Sequence, residues 1–266
     1  MRLEGWSSGF VVLAIALSVS ACATGGASSS GRSSATAPRH EAAPVNEAAR
    51  VNTELGQKYL RQGKLELAME KLNRALIADP RHVDAHTVIA VLYETIGDNT
   101  RAEDHYRRAT QLKPKSGSEA NNYGAYLCKI GRFDEAASYF ERAVADPFYS
   151  TPAVALTNAG TCAIKGGRFD AAERDLRLAL ERGQDNAEAL FQMATVLYRK
   201  DEFFRARAFI QRYESIGEQS PESLLLARNI ELRLGNASAA LDYTRRLRQK
   251  FPDSEQARAL DAPSSS

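Results

Sequence analysis

Apolar and polar positions change rhythm three times along the chain. An apolar run spans residues 10–17, with Arg2 before it and the small-residue stretch 18–21 after it. Residues 23–44, ATGGASSSGRSSATAPRHEAAP, then carry almost no large apolar side chain. Beyond them the apolar residues take helical spacing, in paired segments joined at a glycine. The unit recurs: NNYGAYLCKIGRFDEAASYFERAVADPFY starts at Asn121, and a weaker copy, TNAGTCAIKGGRFDAAERDLRLAL, starts at Thr157. Gly63, Gly97, Gly131, Gly167, Asp201 and Gly235 fall at intervals of 34, 34, 36, 34 and 34, and an alanine (Ala68, Ala102, Ala136, Ala172, Ala206, Ala240) follows each by five residues. The pattern predicts six helical hairpins. A single hairpin cannot cover its own apolar face, so neighbours must stack.

A period of 34 with this punctuation resembles the tetratricopeptide repeat. Repeat 1 has Leu55, Gly56, Tyr59, Ala68, Leu72, Ala75 and Pro80 at the motif positions; repeat 2 has Ile89, Ala90, Tyr93, Ala102, Tyr106, Ala109 and Pro114. Small residues at Gly56, Ala90, Gly124, Gly160 and Ala194 let the first helix of a hairpin approach the second, and Tyr59, Tyr93 and Phe140 fill the gaps between. Pro80 and Pro114 end second helices. The expected fold class is therefore all-α, a right-handed superhelical solenoid of six hairpins over residues 47–257, with a disordered tail at 258–266. Three departures stand out. Arg228 occupies a small-residue position, Asp201 replaces the turn glycine, and two residues are inserted between repeats 3 and 4 near DPFYSTP, where an altered crossing angle is expected.

In such a stack the first helices line a groove. The register assigns to it Arg50, Thr53, Gln57 and Leu60; Asp84, Thr87, Val91 and Glu94; then Asn121, Asn122, Ala125, Cys128 and Lys129, followed by Thr157, Asn158, Thr161 and Ile164. Repeats 5 and 6 add positions from Phe191 to Leu232. This mixed lining suits a peptide or helix. It lacks the Lys/Asn/Arg clamp of chaperone-binding tetratricopeptide domains, so capture of a carboxyl tail has no support.

Composition narrows the picture by exclusion. The 266 residues are 44% hydrophobic and 26% charged, with a formal net charge of +2. No run of five Lys/Arg occurs, which argues against a nucleic-acid partner. His82 and His86 stand four apart and His105 is near in sequence, but no third ligand is placed, and the reading is a solvated helix start without metal. Asp134, Glu135 and Glu141 alternate with Arg132 and Arg142 as a solvated face. No nucleophile–base set or phosphate loop is present; catalysis, a small-molecule substrate and a cofactor are not expected. Cys128 and Cys162, on first helices of adjacent repeats, are either two buried thiols or a disulfide pinning the joint beside the insertion.

The amino end reads as a secretory signal over residues 1–21, its apolar run being shorter than the roughly 20 residues a bilayer span needs. Val19-Ser20-Ala21-Cys22 resembles a bacterial lipobox, which implies cleavage before Cys22, a thioether-linked diacylglycerol on its thiol and acylation of the new amino group. Several acyl chains anchor stably where one does not. Ala23 rather than Asp after the cysteine favours the outer membrane's inner leaflet by the same resemblance. Residues 22–46 would be the lipidated cysteine and a flexible tether, with a reach of roughly 25 Å for 22 Gly/Ser-rich residues.

NNYGAYLCKIGRFDEA, ADPFY, NAGTCA and RARAFIQRY, together with the lipobox, the tether and six repeats, resemble the type IV pilus biogenesis and stability lipoproteins, the pilotin family of PilF and PilW. The resemblance implies an outer-membrane lipoprotein that binds the pilus secretin and helps it localise and multimerise. The expected contact residues are Leu60, Val91, Asn121, Asn122 and Ile164. The alternative is a scaffold lipoprotein for another envelope machine, such as barrel assembly or a cell-wall enzyme complex.

Overall fold

The computed structural model describes residues 47–261, and among these every regular element is a helix. Hairpins form from α1 (Glu47–Arg61) and α2 (Leu65–Ala78), α3 (Val83–Thr95) and α4 (Asn99–Leu112), and α5 (Gly117–Lys129) and α6 (Phe133–Ala145). The series continues with α7 (Pro152–Lys165) and α8 (Phe169–Arg182), α9 (Ala187–Arg199) and α10 (Phe203–Ile216), and α11 (Pro221–Arg233) and α12 (Ala237–Lys250), closed by α13 (Glu255–Asp261). Each second helix packs on the first helix of the next hairpin. First helices also meet one another, α1 on α3, α5 on α7, α7 on α9 and α9 on α11. The result is a solenoid of six hairpins whose odd-numbered helices share one face, the inner face.

The local causes are those the sequence spells. The tight turn inside each hairpin needs one residue with positive φ. Gly131, at φ +82°, supplies it in repeat 3, and Asp201 takes the same conformation at φ +59°. A short polar side chain tolerates that region better than a branched one. Within each of the first five hairpins a small residue stands opposite a large one 16 positions later. A Cβ on Gly56 would lie 2.5 Å from Leu72 Cγ, and one on Gly124 would lie 3.0 Å from Phe140 Cε1. Repeat 6 inverts the pair: Arg228 takes the small-residue position and reaches Thr244, which accepts from its Nε at 3.1 Å. The departure at Arg228 is thus accommodated by a small partner across the hairpin.

Four residues link each hairpin to the next element, except between α6 and α7, where there are six, 146–151. That longer loop folds back on α5. Asp146 accepts from the Gly117 N–H at 2.7 Å and the Phe148 N–H at 2.9 Å, satisfying one of the orphan donors at the start of α5. The same joint carries a disulfide. Cys128 on α5 and Cys162 on α7 are bonded across a Cα–Cα distance of 5.7 Å, inside a buried cluster with Tyr123, Tyr126, Leu127 and Phe140. Ion pairs clamp later joints: Lys200 and Arg205 both reach Glu173, and Lys200 foremost holds that carboxyl at about 2.

One expectation is corrected at the carboxyl end. Residues 258–261, expected as disordered tail, belong to α13, whose Ala257 and Leu260 pack with Leu224, Leu247 and Phe251. A half-hairpin of this kind covers the last repeat as a cap. The signal segment, Cys22 and the tether lie outside the described residues.

Candidate protein-binding groove

The inner face is not a uniform channel. Between α1, α3 and α5 it sinks into a depression of about 540 Å³, reached by Gln57, Leu60, Thr87, Val91, Glu94 and Asn122. A second hollow of about 250 Å³ adjoins it at the amino ends of the same helices, with Arg50, Thr53, Asp84 and Glu119 in its wall. A third, of about 410 Å³, opens toward the inserted loop and its almost fully exposed Phe148. Asn122 lines all three, so it stands where they meet.

Three of the five expected contact residues, Leu60, Val91 and Asn122, therefore share one surface. The other two differ. Asn121 reaches only the third hollow; it is 8% exposed, and its Oδ1 accepts from Asn158 Nδ2 at 3.0 Å. With Asn186, which donates to Thr157 Oγ1 at 3.0 Å, it forms a polar seam joining α5, α7 and α9. Its neighbour points outward because successive helical residues are turned by about 100°. Ile164 packs against the core of repeats 4 and 5 instead of lining these hollows. Cys128, placed in the groove by register, is buried in the disulfide cluster.

The carboxylates of this face are not alike. Glu54 is engaged by Arg50. Glu94 accepts from the Tyr106 hydroxyl at 2.9 Å and from Lys129 Nζ at 2.8 Å, one on each oxygen. Burial and the nearby Glu94 charge push the Tyr106 phenol upward. Glu119 has neither kind of partner.

The histidines correct another expectation. His86 is 8% exposed and not a solvated helix start. Its Nε2 lies 3.1 Å from the Pro80 carbonyl and its Nδ1 2.9 Å from His105 Nδ1. Donation by Nε2–H to Pro80 leaves His86 Nδ1 as the acceptor, so His105 supplies the proton of the shared bond. Protonating both rings would set two N–H groups face to face. Burial lowers both histidines, His105 to about 4. Among the described residues no group of three His, Cys, Asp or Glu forms a metal-binding cluster.

This pair sets a pH dependence. The folded His105 binds its proton more weakly than an unfolded histidine, so its contribution is complete above pH 6.5 and fades as pH falls toward 4. After discounting for partial exposure, the loss should be about 1–2 kcal/mol. Urea midpoints measured from pH 7 to pH 4.5 should fall less steeply in His105→Gln than in the wild type; parallel slopes would refute the assignment.

A hairpin solenoid with a mixed polar and apolar inner groove defines a helical-repeat binding protein. Tetratricopeptide-repeat families match residues 53–117, 157–221 and 223–254. The chain is 27% identical to the type IV pilus assembly protein PilF of Pseudomonas aeruginosa, over 76% of this chain and 80% of that protein. The crystal structure of PilW, a widely conserved type IV pilus biogenesis factor, superposes with a TM-score of 0.76 at 32% identity, covering 81% of this chain and 99% of that one. The structure of P. aeruginosa PilF gives a TM-score of 0.72 at 26% identity, over 81% of this chain and 97% of that one. The chain belongs to the tetratricopeptide-repeat family of PilW- and PilF-like type IV pilus biogenesis proteins.

Proposed function

We propose that this protein acts in type IV pilus assembly as a lipid-anchored outer-membrane pilotin, binding the pilus secretin and promoting its localisation and multimerisation. The observation that carries the reading is the match to PilW along that protein's whole described length, groove-bearing repeats included. Binding without bond chemistry is sufficient for the task. A groove tethered at Cys22 would hold secretin subunits on one membrane and raise their effective concentration, which favours rings over monomers. The partner would lie along Leu60, Val91 and Asn122, with apolar contacts supplying affinity and the amide fixing register.

The test pairs two variants in cells. Val91→Lys with Asn122→Lys changes side chains at the groove surface, Val91 being 39% exposed. It should reduce secretin multimers at least about tenfold, the loss expected when an interface centre is charged, with far-UV helicity unchanged. Cys22→Ser should move the protein from the membrane to the soluble fraction and mislocalise the secretin. Normal multimers in the first variant would remove the groove from the mechanism; membrane residence in the second would remove the anchor.

A further inference from the structure

The first turn of α5 reads Ser116-Gly117-Ser118-Glu119, a capping-box sequence in which Glu119 would bond back to the Ser116 N–H. The structure does not use it. The Ser116 side chain makes no cap bond, the Ser116 N–H goes to the Lys113 carbonyl, and the Gly117 N–H is taken by Asp146 from the inserted loop. By contrast α11 completes the equivalent box, Ser220 with Ser223. Glu119 is thereby released from its local duty. It is only 6% exposed, its Oε2 is buried with no hydrogen-bond partner, and it lies in the wall of the inner-face hollow with Thr53, Asp84 and Asn122. Thr87 Oγ1, in the same wall, is likewise buried and unpartnered.

A carboxylate out of water is strongly unfavourable unless a donor answers it. The amino end of α5 offsets part of that cost. Glu94, on α3 of the same face, shows the satisfied alternative, with a tyrosine and a lysine on its two oxygens. Glu119 lacks both.

We infer that Glu119 is the specificity-determining contact of the groove and accepts a lysine or arginine side chain from a polypeptide segment laid along α1, α3 and α5. Charge complementarity argues for a cation. The wall of the hollow holds Glu54, Asp84 and Glu119 against His82 and a single arginine, and that arginine, Arg50, is already bound by Glu47 and Glu54. The neighbouring apolar depression at Leu60 and Val91 would take the hydrophobic residues beside the basic one. This inference deepens the secretin reading and names the chemistry of the segment, but its test does not depend on that partner.

The full chain, purified in detergent, is applied to an array of random dodecapeptides as wild type and as Glu119→Gln. The wild type should select peptides with Lys or Arg next to apolar residues. Glu119→Gln should lose that preference and bind the selected peptides about tenfold or more weakly, the effect of removing a charge-assisted hydrogen bond, with a flatter dependence on salt. Its thermal midpoint should equal or exceed the wild type's, because a neutral amide replaces an unpaired buried charge. Selected peptides without basic residues would overturn the inference, as would equal affinity of the two proteins, or a lowered midpoint accompanying the weaker binding. A parallel titration with purified secretin separates the two readings. Array selectivity with no secretin binding leaves the Glu119 assignment standing and discards the partner; secretin binding unaffected by Glu119→Gln does the reverse.

Discussion

Replacing Cys128 and Cys162 together by alanine should cost the protein about 3–4 kcal/mol, the chain-entropy value for a closed loop of this length. The two cysteines are 34 residues apart and the bond joins α5 to α7. In a solenoid each repeat contacts only its neighbours, so stability is a sum of repeats and joints. This joint has the longest loop, residues 146–151, and the bond crosses it on the inner face. Loss of the bond should therefore also uncouple the array. A single urea transition in the oxidised wild type should become two in the variant, the halves separating between repeats 3 and 4. Limited proteolysis at intermediate urea should then cut within 146–151. A reductant added to the wild type should reproduce the shift, and added to the double alanine variant should do nothing. An unchanged single transition in the variant would show that packing of Tyr123, Tyr126 and Phe140 holds the joint unaided.

The repeats were legible in the sequence because two helix backbones at close approach tolerate few residue types. Gly56 against Leu72 and Gly124 against Phe140 are geometric necessities, and they recur with the period. The groove was legible only as far as helical phase. Leu60, Val91 and Asn122 follow from register, but Asn121 differs from Asn122 by one step of rotation, which leaves it mostly buried, in a seam with Asn158 and at the edge of the third hollow only. Ile164 differs as well: it is partly buried against the core of repeats 4 and 5, a contact that register alone does not signal. The His86–His105 pair joins a first helix to a second helix across 19 residues, a contact no local pattern signals. Glu119 was the least visible. Its sequence context spells a cap, and only the Ser116 N–H, turned to the Lys113 carbonyl, shows that cap to be unmade.

The small–large pairing predicts a change of sign on mutation. Gly160 sits in the middle of α7, where alanine has the higher helix propensity by about 1 kcal/mol. A Cβ there would nevertheless lie 2.5 Å from Leu176 Cγ and 2.8 Å from its Cδ2. Cγ is tied closely to the backbone of α8 and cannot swing aside, so Gly160→Ala should destabilise by about 1–2 kcal/mol net, overpacking outweighing propensity. Leu176 is fully buried, and Leu176→Ala should cost about 3–4 kcal/mol through lost burial and the cavity left behind. In that second background the obstacle is gone. Gly160→Ala should then stabilise, by about 1 kcal/mol from propensity and partial filling of the cavity. The coupling between the two sites would be about 2–3 kcal/mol, inside the range for residues in direct contact. Urea denaturation of the wild type, the two single variants and the double variant measures it. Were Gly160→Ala to have the same effect in both backgrounds, close approach of α7 to α8 would not be what demands a glycine there, and the physical reading of the repeat motif would fail at its best-defined pair.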